Sequence, residues 1–212
     1  MRHMAPTTGG LLGLICALVA GPIAAQEEQS PGRPDRAYVE RISADWPAAS
    51  REAIRFMMEK YGPPAAIAPA MALWAKTGPW KRTIVFAAEV PHEFPMHHTD
   101  VMQQWIDYKA PPELYDELSR YDGSVVLERT SGEISARCDK EAANFLALNL
   151  AHEIVTGKRS VEEARRTYAE QIMAMKAKRP APYTQRLIVQ VPAAGATGDP
   201  DRPVSVSRAK QK

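Results

Sequence analysis

Residues 122–155, DGSVVLERTSGEISARCDKEAANFLALNLAHEIV, decide the fold, because they set a hairpin pattern directly before the longest helical pattern in the chain. Residues 125–130 and 133–138 alternate as strands do, and Ser131 with Gly132 forms a two-residue loop with glycine where positive φ is needed. That loop places Glu128 opposite Ser135 and Val126 opposite Arg137 on a wet face. The other face pairs Leu127 with Ala136 and Val125 with Cys138, so Cys138 is expected to be a buried, inert thiol.

Residues 140–156 follow as a helix, with Asp139 as its cap, Glu141 in the first turn and Gly157 as its stop. At about 100° per residue, Ala143, Ala147, Leu148, Leu150, Ala151, Ile154 and Val155 form one broad apolar arc, so the helix packs on more than one side. Asn144 points into that arc and is expected to be a hydrogen-bonded buried amide. The opposite side carries Glu141, Phe145, Asn149, His152, Glu153 and Thr156, and its lone aromatic is expected to lie under a neighbouring segment.

Downstream, Ser160 and Glu163 make a capping-box pattern for a further helix to residue 178. The short connection from Gly157 makes the two helices an antiparallel pair. Arg165, Arg166, Lys176, Lys178 and Arg179 are expected to form a solvated face, residues 187–191 an edge strand, and residues 192–212 a disordered tail.

Upstream, residues 1–25 have the pattern of a secretory leader, with Arg2, an apolar run over residues 11–20 and small residues before Gln26. The run is shorter than the roughly 20 apolar residues that a membrane span needs, so no stable span is expected after cleavage. A flexible lead-in over residues 26–44 precedes one domain over residues 45–191. That domain opens with a helix capped by Asp45, carrying Ala53, Ile54, Met57, Met58 and Tyr61 until Gly62 and Pro63 stop it. Strands are expected over residues 71–76 and 82–90; residues 101–109 suit a strand or a helix, with the strand preferred, and a short helix opens at Pro112. Strands and helices occur in runs, not in alternation. The expected class is therefore α+β, an antiparallel sheet of about four or five strands packed against one N-terminal helix and the C-terminal antiparallel pair.

Composition narrows the function by exclusion. The 27 basic and 25 acidic residues nearly balance, which is not the profile of a nucleic-acid-binding protein. Of the two cysteines, Cys16 lies in the leader, so a periplasmic or secreted mature chain has no intramolecular disulfide available.

Three of the five histidines fall in residues 91–100, PHEFPMHHTD. His92, His98 and Asp100 are ligand types suited to zinc or copper, and Met96 adds a soft donor for copper(I). Residues two apart on an extended chain share a face, so His98 and Asp100 converge while His97 points away. A third ligand is expected from His92 or from His152. A thiol enzyme pairing Cys138 with His152 is disfavoured, since fourteen residues of helix span about 21 Å. For a metal-dependent hydrolase, Glu89 and Glu93 are the general-base candidates nearest in sequence. With no nucleophile elbow, Walker loop or zinc-protease helix present, a non-catalytic protein binding a partner protein or small-molecule ligand ranks first. A zinc or copper protein ranks second, and a hydrolase third.

Overall fold

The computed structural model describes residues 32–204, so the expected leader and the last residues of the expected tail lie outside the described part. The fold is α+β, with helices α1 (Arg36–Ile42), α2 (Ala48–Tyr61), α3 (Tyr115–Tyr121), α4 (Glu141–Val155) and α5 (Val161–Lys176). Its strands are β1 (Ala66–Ala68), β2 (Met71–Thr77), β3 (Trp80–His92), β4 (His98–Asp107), β5 (Val126–Glu128) and β6 (Glu133–Cys138). They form one antiparallel sheet of six strands in the order β1-β2-β3-β4-β6-β5. The sixth strand is β1, a three-residue edge in the stretch whose prolines signal a break.

The core lies on one face of this sheet, in two clusters. Ala72, Trp74, Val85 and Met102 pack with Ala53, Ile54, Met57 and Met58 of α2. Ile106, Ile134, Ala136 and Cys138 pack with α4 and α5. Met57 and Leu146 are fully buried, and each such side chain contributes about 1.5–3 kcal/mol of transfer free energy. The opposite face is more open, with Met71 and Val126 39% and 52% exposed.

Beneath α4 the polar groups close on one another. Asn144 donates to the Met102 carbonyl and to Oε1 of Gln104, each at 3.0 Å, as expected of a buried amide. The side of α4 that its polar residues mark as outward is also covered. Glu141 accepts from the Tyr61 hydroxyl and from Nε1 of Trp80, both at 2.7 Å, and pairs with Lys60. Phe145 lies on Trp80, with ring centroids 4.9 Å apart.

Several expectations are corrected. Within the expected lead-in, α1 begins at Arg36, is capped by Asp35 accepting from the Tyr38 amide at 2.7 Å, and buries Val39. Asp45 and Asp139 do not cap their helices. Instead, Glu89 reaches from β3 to accept the Ala49 amide at 3.0 Å, and Asp139 accepts from the Lys140 ammonium at 2.9 Å.

The β5–β6 loop spans four residues, not two, closed by the Gly132 amide donating to the Arg129 carbonyl at 3.2 Å. Val126 therefore faces Ser135 and not Arg137. The displacement is two residues, which leaves every side chain on its expected face. Both faces of β6 are largely buried.

Residues 187–191 form no strand. Asn149 takes over the backbone groups there, donating to the Tyr183 and Arg186 carbonyls at 2.9 and 2.8 Å and accepting the Ile188 amide at 2.8 Å. The tail is attached as far as Asp201. Thr197 donates to the Gly132 carbonyl at 2.7 Å, and Asp199 and Asp201 both pair with Arg129. Gly132 makes this approach feasible, since a Cβ there would come 2.2 Å from the Thr197 carbonyl carbon.

Candidate metal centre

The histidine-rich stretch is a hairpin, not a loop, and an irregularity in β3 determines which face its histidines take. Val85 lies opposite Met102, but Val90 lies opposite Asp100, so β3 advances five residues where β4 advances two. The excess of three is odd, and an odd excess exchanges the faces of a strand. His92 is thereby carried to the helix-covered face shared by His98, Asp100 and Met102, and it pairs directly with His98. The loop beyond is held against α5, where Phe94 lies 5.1 Å from the Tyr168 ring and the Arg165 guanidinium stacks 3.8 Å over Phe94. Arg165 is thus part of the packing and not only of a solvated face.

His92, His98 and Asp100 each present one ligand atom, and the three atoms lie within 4.8 Å of one another. Nδ1 of His92 is 3.2 Å from Oδ2 of Asp100, and Nε2 of His98 is 3.2 Å from Oδ1. Asp100 is 4% exposed, and neither its Oδ1 nor Nδ1 of His92 has a correctly directed hydrogen bond. Nδ1 of His98 lies 2.8 Å from the Met96 carbonyl, which can only accept. That contact fixes the proton of neutral His98 on Nδ1 and turns the Nε2 lone pair towards the carboxylate. Two lone pairs facing each other at this distance repel, so the contact calls for a cation, either a proton or a metal ion. Asp100 accordingly holds the His98 pKa above the usual histidine value, against the effect of burial.

Asp122 lies near His92, an approach that the sequence did not reveal. Its Oδ1 accepts from the amide and hydroxyl of Ser124 at 2.8 Å and lies 3.9 Å from Nε2 of His92. Burial raises its pKa, and the Ser124 hydrogen bonds only partly oppose this. The sequence shows Asp122 only as a helix stop; its approach to His92 depends on the β3 irregularity.

The remaining candidates lie elsewhere. Nδ1 of His152 is 2.9 Å from the Tyr108 hydroxyl, towards the far end of α4. His97 contacts Glu93 at 2.8 Å on the surface. Glu89 caps α2, so neither glutamate proposed as a general base belongs to the cluster. Cys138 is buried as expected, its thiol donates to Asp139 at 3.4 Å, and burial with the nearby Asp139 and Asp100 charges pushes its pKa well up. A thiol held protonated in this way is a poor nucleophile. Sδ of Met96 lies 2.7 Å from Nζ of Lys176 and not among the cluster's ligand atoms.

Comparison with protein-family models, with curated proteins and with solved structures finds no match. Among the described residues, no helix is long and apolar enough to cross a membrane.

Proposed function

We propose that the chain is an exported metal-binding protein that holds one zinc ion between His92, His98 and Asp100. The observation that carries this reading is the arrangement of two ring nitrogens, each 3.2 Å from a different oxygen of one buried carboxylate. The Nδ1–H tautomer of neutral His92 and one added proton on Nε2 of His98 would serve the two contacts separately, whereas one metal ion engages all three side chains at once. Zinc accepts two imidazoles and a carboxylate and tolerates the distortions a protein imposes, since its filled d shell sets no geometric preference. Copper(I) is the weaker choice because its soft donor, Met96, is turned to Lys176. The carbonyl behind His98 is an outer partner of the kind that orients metal-binding imidazoles, whereas Asp122, 3.9 Å from Nε2 of His92, lies beyond hydrogen-bond distance.

Export rests on the leader pattern of residues 1–25. A hydrolase reading has no support from the cluster, which contains neither of its two proposed bases.

The test is metal retention. Purified protein exposed to zinc and desalted is expected to keep about one ion per chain, with retention falling as pH drops and protons compete for the imidazoles. The double substitution His98→Ala with Asp100→Ala is expected to remove the ion and leave the circular dichroism spectrum unchanged. Zinc retained in full by the folded double variant would overturn the assignment.

A further inference from the structure

A cavity of about 460 Å³ opens beside the histidine cluster, between the β3–β4 loop, the start of α4 and one face of α5. This volume suits a small organic molecule. On α5, Tyr168, Ile172 and Lys176 recur every four residues and line the cavity together. They form a ladder about 12 Å long that passes from aromatic to aliphatic to cationic. Met175 and Ala143 extend its apolar part.

The charges are unequal. Lys140 lies 2.9 Å from Asp139, so these two opposite charges at the wall answer one another. Lys176 has no carboxylate within ion-pair distance among the described residues, and the nearest acceptor to its ammonium is the thioether of Met96, a weak one. A cation above an apolar wall complements a molecule with an anionic head and an apolar body.

We infer that this cavity binds a small amphipathic monocarboxylate, with its head on Lys176 and its hydrocarbon along Ile172 towards Tyr168. The cavity borders the metal cluster, since His98 also lines it, but the residues that define this inference, Lys176 and Ile172, are not proposed zinc ligands. Lys176 is exposed, so its replacement leaves the core in place.

Octanoate serves as the probe, titrated calorimetrically into the full-length protein both with and without zinc. It is expected to bind in both forms and to shift the methyl signals of Ile172 and Met175 in NMR spectra. 1-Octanol, with the chain but no charge, and acetate, with the charge but no chain, are each expected to bind at least tenfold more weakly. Lys176→Met is expected to weaken octanoate at least tenfold while leaving zinc retention unchanged. No octanoate binding at millimolar concentration, equal binding of octanoate and 1-octanol, or unchanged binding by Lys176→Met would each overturn the inference. Octanoate binding by protein that retains no zinc supports the cavity and counts against the metal reading alone.

Discussion

Cys138 lies where two uses of the molecule meet, since it belongs to the core under α4 and also lines the cavity beside the histidines. Its environment suits a thiol kept protonated, with burial and the Asp139 and Asp100 charges all acting in the same direction. Cys138→Ser places a stronger hydroxyl dipole in that apolar contact and is expected to cost about 1–3 kcal/mol of stability. Denaturant titration measures that cost, and zinc retention should not change. Rapid labelling of the native thiol by a maleimide would contradict the buried assignment. At this scale the sequence was legible for apolar positions and less so for polar ones. The alternation that placed Cys138 inside was sound, and so was the arc that buried Asn144. Asn149 was placed on the polar side opposite the apolar arc with no role assigned, because periodicity weighs hydrophobicity, and a side chain that satisfies three backbone groups of residues 183–188 leaves no periodic trace.

Between elements, Glu153 joins the end of α4 to the turn that follows and to the C-terminal segment. It pairs with Lys158 and Arg159 and accepts from the Tyr183 hydroxyl at 2.7 Å. Burial alone would raise its pKa, but the hydrogen bonds from Lys158, Tyr183 and Arg159 outweigh it and hold the carboxyl below the ordinary glutamate value. A group whose pKa is lower folded than unfolded stabilises the protein above its unfolded value, about 4.3 for glutamate, and loses that contribution as pH falls through its folded value. Glu153→Gln is therefore expected to be less stable than the parent at pH 6 by about 1–3 kcal/mol. The difference should close as pH falls below about 4; a constant difference from pH 3 to pH 7 would contradict the assignment. Legibility among elements followed the range of the signal. The capping box of α5 is local and formed as read, with Ser160 accepting the Glu163 amide and Glu163 accepting the Ser160 amide. The β5–β6 register differed by two residues because a two-residue displacement preserves the alternation that the reading used. Residues 187–191 have a strand's composition, but Asn149 engages the Ile188 amide that an edge strand would have offered to the sheet.

For the molecule as a whole, the sheet and its helical cover were legible as a class because strands and helices occur in separate runs. The candidate site was legible in its residue types and not in its assembly. His98 and Asp100 share a face by simple alternation, whereas His92 joins them through the odd excess of residues in β3, which no periodic pattern announces. The same irregularity frees Glu89 to cap α2, so one departure from regular pairing both anchors a helix and completes the cluster. The central claim is that these three side chains hold one metal ion. The most direct measurement is anomalous diffraction at the zinc edge from crystals grown with zinc. The account predicts one strong peak about 2.0–2.2 Å from a nitrogen of His92, a nitrogen of His98 and an oxygen of Asp100. A map with no peak there, or with zinc bound instead at His97 or His152, would contradict it.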